Sequence, residues 1–391
     1  IIAILAAALI LRLGTVQGLW VFFAVLPLGA SAAVNLPALG GASIVLADAA
    51  AAALCLSFVM ERRSISASIS TLRPPSSGFF LILLFAYATF ATIYFPRLFA
   101  GSIEVFGLAR VDGEVGIVSR PLRPSSGNIT QFLRFSIGVI VFLVIATAIR
   151  RNPDTRAVLK AMTAVTVIHI AFGFLDVTSF RLGFAQLLDF FRTANYAMAT
   201  NQFLGGLKRM VGGFPEASAF GYLTIGLFGF WLQYWTARGR ARIAAWLVLA
   251  ILVTLILSAS TSAYAAGFIF LLCFGASNAG QFLRQEVDVR LFSIAIYMAV
   301  STVIVGTALV VAYQTIPDIQ SFFDRLIFNK LQSHSGQERM SWNGQAFRNY
   351  LDTGTLGAGL GSVRASNWFL ACLASLGTFG TLLFLLFLTS F

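Results

Sequence analysis

The sequence predicts an all-α polytopic membrane protein with about eleven transmembrane helices, interfacial helices and long outer-face loops. Three observations carry that prediction. Of the 391 residues, 58% are hydrophobic and 11% charged, with a mean hydropathy of +0.85. A soluble domain carries roughly 25% charged residues and about half apolar ones. The apolar residues also fall into runs near the length a bilayer requires, at 1–12, 19–36, 41–60, 79–99, 132–149, 157–175, 217–236, 242–258, 262–282, 290–313 and 367–391. Finally, the basic residues gather in short connections between these runs, as the positive-inside rule expects.

Taken in order, the connections fix an orientation. Arg62, Arg63 and Arg73 form one basic connection. Arg150, Arg151, Arg156 and Lys160 form a second, Arg238, Arg240 and Arg242 a third, and Arg284 with Arg290 a fourth. Only Glu61, Asp154, Glu286 and Asp288 oppose them. With these four on the cytoplasmic side, three longer segments fall on the other face, at 97–131, 176–216 and 314–366. No soluble domain and no internal repeat stands out, so residues 1–391 read as one integral membrane domain. The chain opens at Ile1 and closes at Phe391 inside apolar runs, so further residues are expected on both sides.

The net charge of +12 has two readings, attraction to anionic lipid or an anionic substrate. Nucleic acid is not expected, because the cations lie in short loops and not on an aromatic-interleaved patch. Cys55, Cys273 and Cys372 sit in apolar runs without Cys-x-x-Cys spacing, so neither a disulfide framework nor a metal site is expected.

The outer segments carry the local signals. Val111-Asp-Gly-Glu114 reads as the turn of a β-hairpin in 97–131. Phe180, Phe184, Leu187, Leu188 and Phe191 recur at helical spacing, which suits a helix lying in the interface. Lys208-Arg209 follows a Gly-Gly turn, and two adjacent cations there suit a phosphate. Glu216 and Ser218 stand where a span begins, where they could equally cap it. His169 lies within an apolar run, either as a functional group or as a satisfied interhelical histidine.

Polar weight is greatest in 333–377. Phe322, Phe323, Leu326 and Ile327 mark another interfacial helix ahead of it. His334 follows in a polar turn, then a helix from Glu338 and Arg339 through Trp342 to Tyr350. Gly357, Gly359 and Gly361 loosen the backbone before Arg364, and Ser366-Asn367 can cap the last span. Arg209, Arg339 and Arg364 thus lie near span ends on the outer side, where a guanidinium grips phosphate oxygens in bidentate fashion.

The order of these pieces resembles a known family. Lys208-Arg209-Met-Val-Gly212-Gly213-Phe-Pro215-Glu216 resembles the Arg-x-x-Gly segment of the O-antigen ligase and polymerase superfamily. Ser333-His334-Ser-Gly336-x-x-Arg339-x-x-Trp342 with Gly357-x-Gly-x-Gly361-Ser-x-Arg364-Ala-Ser366-Asn367 resembles its exopolysaccharide polymerase branch. The resemblance implies a C-type, lipid-linked-sugar glycosyltransferase of a bacterial inner membrane with its active site on the periplasmic face. Glycan passes from undecaprenyl pyrophosphate to an acceptor sugar, with no metal or other cofactor. Arg209 and Arg339 would hold the pyrophosphate, and either Glu216 or His334 takes the base role or the reaction leans on leaving-group stabilisation. Lys208, Arg364, Ser218, Trp342, Ser366 and Asn367 would line the substrate site. Membrane lipid and export or chain-length-control proteins are the implied partners. The ligases carry a His where this chain has Ser366, which favours a polymerase over transfer to lipid A-core. A transporter or flippase of lipid-linked sugar is the other reading.

Overall fold

The computed structural model describes residues 1–36, 42–61, 64–111, 114–196, 198–204, 207–238, 242–283, 307, 311–326 and 334–390. Helices dominate. Four of them, Ser77–Leu98, Ser126–Arg151, Thr155–Arg181 and Trp368–Thr389, are long and apolar enough to cross a membrane. Five shorter apolar helices of 10–17 residues join them among the described residues. The chain is therefore a helical membrane protein, and the described residues do not confirm eleven spans. The expected span at 290–313 lies almost wholly outside the described residues.

Two of the expected spans prove to be interrupted. The run at 19–36 is helical only in α2 (Thr15–Val25), after α1 (Ile2–Leu13), and continues as β1 (Ala32–Leu36). The run at 41–60 begins as β2 (Ala42–Val45) before α3 (Leu46–Met60), and β1 and β2 pair antiparallel. Pro27 can supply no backbone donor to prolong α2, and the β-branched Val34, Ile44 and Val45 suit a pleated ribbon.

The chain divides into two compact units. The first holds residues 1–10, 17–50 and 155–330. Its main elements are α7 (Thr155–Arg181), α8 (Ala217–Arg238), α9 (Arg242–Ser258) and α10 (Thr261–Leu283). The core is built from Val165 of α7, Leu227, Phe228, Trp231 and Leu232 of α8, and Ala244 and Ile251 of α9. Two buried polar pairs register α7 against α8. Trp231 Nε1 donates to Thr166 Oγ1 at 2.8 Å, and His169 Nε2 lies 2.8 Å from Thr224 Oγ1. His169 is fully buried and stacks on Phe220 at 4.1 Å, so it is an interhelical histidine with a partner.

The expected interfacial helix after 176 is not formed. The helix α7 runs on to Arg181, and Gly183, at φ +81°, turns the chain out of it. Only one short 3₁₀ turn, Ala185–Leu188, follows. Leu188 is fully buried there, whereas Phe184 and Leu187 are exposed. The other expected interfacial helix is present as α11 (Pro317–Leu326), although the side chains of Phe322, Phe323 and Leu326 lie outside the described set.

The second unit holds residues 11–16, 51–154 and 331–391. Its elements are α4 (Ser64–Thr71), α5 (Ser77–Leu98), the hairpin β3 (Glu104–Val111) with β4 (Glu114–Pro121), α6 (Ser126–Arg151), α12 (His334–Asp352) and α13 (Trp368–Thr389). Leu81, Leu84, Ala88, Ala91 and Phe95 of α5 pack with Val139 of α6 and with Leu376 and Leu383 of α13. The hairpin anticipated around Val111 and Glu114 is in place, with Glu104 opposite Pro121 and Val111 opposite Glu114. Ile103, Val105 and Leu122 bury its base against Ala358.

The last helix is broken. Gly377 has φ +65° and ψ −170°, far from helical values. A break frees backbone groups that a membrane helix must satisfy elsewhere. Here the preceding loop supplies the partners. The amides of Ala358 and Gly359 donate to the carbonyls of Ala374 and Ser375 at 2.8 and 2.9 Å, and Thr378 donates to Thr355 at 3.0 Å.

Candidate functional site

In the first unit, the Gly-rich segment that carries Arg209 is held from three sides by buried charge. Asp176, near the end of α7, is 2% exposed at its side chain, and Arg192 and Lys208 are each 5% exposed. An Arg192 terminal nitrogen donates to Asp176 Oδ1 at 2.7 Å. Lys208 Nζ lies 2.7 Å from the same oxygen, as an ion pair not aligned as a hydrogen bond, and faces the Phe180 ring at 5.5 Å. Asp176 Oδ2 accepts from the backbone amides of Val211 and Gly212, and Arg192 donates to the Gly212 carbonyl at 2.6 Å. One carboxylate thus serves two cations and two amides. The cluster carries a net positive charge of about one if all three groups ionise.

This divides the adjacent cations. Lys208 belongs to the short strand Leu207–Lys208, and successive side chains of extended backbone point to opposite sides. Lys208 accordingly turns inward to Asp176. Arg209 is half-buried, donating to Gln202 Oε1 at 2.5 Å and reaching the Ser258 carbonyl at 3.4 Å. Neither Asp176 nor Arg192 was singled out from sequence. The available signal was an acid at the end of an apolar run, which is costly without a partner. Glu216 directly precedes α8, where its side chain accepts a hydrogen bond from the Ser218 hydroxyl in the helix's first turn. A carboxylate at that end is favoured by the helix dipole.

The remaining sequence-derived residues lie in the second unit. His334 is the first residue of α12, not part of a turn before it, and its side chain lies outside the described set. Arg339, one turn further on, is exposed. Trp342 presents its ring to the Arg364 guanidinium at 5.7 Å, a cation–π contact, while its buried Nε1 has no hydrogen-bond partner among the described residues. Asn343 Oδ1 accepts from the amides of Ser366 and Asn367, both at 2.9 Å. Asn367 is the N-cap of α13, accepting from the amides of Phe369 and Leu370. The capping expected of this pair therefore falls to Asn367, while Ser366 is exposed.

The alternate glycines have a mechanical reason. Gly357 and Gly361 have φ of +83° and +76°. A Cβ on Gly361 would fall 2.3 Å from the Gly127 carbonyl oxygen, and one on Gly357 2.5 Å from the Gly377 nitrogen. The loop between α12 and α13 is thereby pressed against the start of α6 and the break of α13. Asn128 of α6 fastens it further, donating to the Leu360 carbonyl at 2.7 Å and to Ser362 Oγ at 2.8 Å.

Between that loop, the hairpin and the first turns of α6 lies a cleft of about 830 Å³. Three arginines line it, Arg120 of β4, Arg134 of α6 and Arg364 of the loop. All three residues are exposed, and among the described residues none of the cleft's lining is a carboxylate and none of the three forms an ion pair. Gly107 makes room for Arg120, since a Cβ there would sit 2.6 Å from its Nε. Arg364 was expected from sequence, whereas Arg120 and Arg134 were not. Their distance in the chain from the polar loop hides them. Among the described residues no His, Cys, Asp or Glu cluster could hold a metal ion.

No protein-family model, no curated protein and no solved structure matches this chain.

Proposed function

We propose that the protein is a membrane glycosyltransferase. It would lengthen a surface polysaccharide by moving glycan from a polyprenyl pyrophosphate carrier onto an acceptor sugar at the outer face of a bacterial inner membrane. The observation that carries this reading is the cationic second unit. Arg339 and Arg364 are exposed and lack a carboxylate partner among the described residues, in the segment leading into the membrane helix that starts at Trp368. Guanidinium groups left without an acid are suited to a bound anion, and pyrophosphate leaving with a lipid tail is such an anion. Arg339 would stabilise charge that grows on the departing pyrophosphate, a service that a fixed positive group supplies without proton transfer, while Arg364 would bind the glycan portion of the substrate.

The motif order gives Arg209 and Arg339 the pyrophosphate, and each is tested by its own variant. Purified protein would be given undecaprenyl-pyrophosphate-linked oligosaccharide in detergent, and product length read on a gel. A ladder from the native chain that vanishes in Arg339→Ala and Arg209→Ala supports the proposal, and an unchanged ladder in both variants refutes it. Glycan transferred to a supplied lipid A-core acceptor, without a ladder, would make the protein a ligase despite Ser366.

The break at Gly377 favours a second reading, a transporter of lipid-linked sugar, because transporters place sites at discontinuous helices. The backbone groups freed at this break are bonded to Thr355, Ala358 and Gly359, which leaves few of them for a substrate. Transfer in detergent, where transport has no meaning, separates the two readings.

A further inference from the structure

We infer that the cleft of the second unit binds the carboxylate-bearing sugars of an acidic glycan. That the ligand is a glycan rests on the function proposed above, whereas its negative charge rests on the cleft alone. Arg120, Arg134 and Arg364 bring three positive charges to one cavity whose described lining residues include no carboxylate. A neutral sugar needs no such excess, and fields of one sign in a cleft concentrate ligands of the other.

The rest of the lining argues for a sugar acid over a compact anion. Phe106 and Phe135 contribute aromatic residues to the lining, and Ser125, Gln131 and Ser362 contribute hydroxyl- and amide-bearing ones. Rings suit the C–H faces of a pyranose, while hydroxyl and amide groups suit its hydroxyls. The volume of about 830 Å³ lies toward the upper end of ligand sites and far exceeds a single phosphate. The charges are also spread along the chain's architecture. Arg134 stands eight residues beyond Ser126, the first residue of α6, which is about 12 Å along the axis at 1.5 Å per residue. Arg120 comes from the hairpin and Arg364 from the loop, so each guanidinium arrives on a different element. At the start of α6 a capping box already takes up part of the hydrogen-bonding capacity that a phosphate would use. Asn128 Oδ1 takes the Ser125 amide at 2.8 Å, and Asn128 Nδ2 is spent on the loop. A guanidinium pairs a carboxylate in bidentate fashion, so a chain with an acid on successive sugars would meet the arginines one by one.

Binding to the purified full chain in detergent would be measured by calorimetry with three probes. These are a galacturonic acid hexamer, the same hexamer with its carboxyl groups reduced to alcohols, and inorganic pyrophosphate. The acidic hexamer is expected to bind, more weakly as salt is raised, and the reduced hexamer to show no heat. Arg120→Gln and Arg134→Gln should each weaken the acidic hexamer about tenfold, the scale of one lost charge-assisted pair. Arg134→Lys, which keeps the charge without the fork, should fall between. Equal binding of both hexamers would overturn the inference, as would full affinity in both Gln variants. Displacement of the hexamer by micromolar pyrophosphate would overturn it in favour of a phosphate site. Because no lipid-linked donor is present, acidic binding that survives while Arg339→Ala and the native chain both fail to make polymer would separate a failure of the transfer reading from a failure of this one.

Discussion

Replacing Asp176 with Ala should destabilise the protein more than any other single change at the Arg209 segment. The side chain is 2% exposed and is the shared partner of Arg192 and Lys208, each 5% exposed. Its other oxygen accepts from the amides of Val211 and Gly212 at 2.9 and 3.3 Å. Removing one partner of a buried ion pair costs roughly 3–5 kcal/mol, because the remaining charge is left without compensation. Here two cations are left, together with two buried amides that each cost about 1–3 kcal/mol when unpaired. These terms overlap and do not add, so about 4 kcal/mol is the expected loss, set by the buried charges. Against a typical total of about 5–15 kcal/mol, that brings the chain close to unfolding. Asp176→Asn keeps a carbonyl oxygen for the amides and loses only the charge, so it should cost less than Ala. The assay is thermal unfolding of purified protein in one detergent. On the scaling for domains of 150–250 residues, about 4 kcal/mol lowers the midpoint by roughly 8–16 °C. A midpoint within about 2 °C of the native chain, on the same scaling, would refute the account of the cluster as a buried clamp.

Two further substitutions probe the second unit. Gly361→Ala forces a side chain onto a left-handed backbone, costing about 1–2 kcal/mol, and places its Cβ 2.3 Å from the Gly127 carbonyl oxygen, so the loop must shift. Its unfolding midpoint should fall clearly, and an unchanged midpoint would show that the loop does not depend on this contact. Asn367→Ala removes the cap of α13 and should cost about 1 kcal/mol, while Asn367→Asp should restore most of it. Equal midpoints for the Ala and Asp variants would show that the cap contributes nothing.

Where local chemistry decides, the structure was legible in the sequence. The Asp-Gly turn signal between Val111 and Glu114 lies in a hairpin whose register closes at Val111 and Glu114. The helix through Arg339, Trp342 and Tyr350 formed, as did the Asn367 cap. The glycines from Gly357 to Gly361 read as loosened backbone and are in fact tight contacts, because periodicity reveals freedom and not what presses against it. The clamp around Asp176 was not legible, since Lys208 lies thirty-two residues away and only tertiary placement joins them. The early spans misled because apolar composition does not separate a short helix from a ribbon. Residues 32–36 and 42–45 are strands despite it.

The splice across Gly377 has a mechanical consequence. Two loop amides and one helix amide stitch residues 355–359 to residues 374–378. The stitches use main chain only, so side-chain substitutions cannot dissolve them directly, and they fasten the loop as a flange to the last helix on both sides of its break. Arg364 rides on that flange, five residues beyond Gly359. A tilt of the last helix would therefore swing Arg364 with it as a lever arm, converting a motion within the bilayer into a displacement of positive charge in the lining of the cleft.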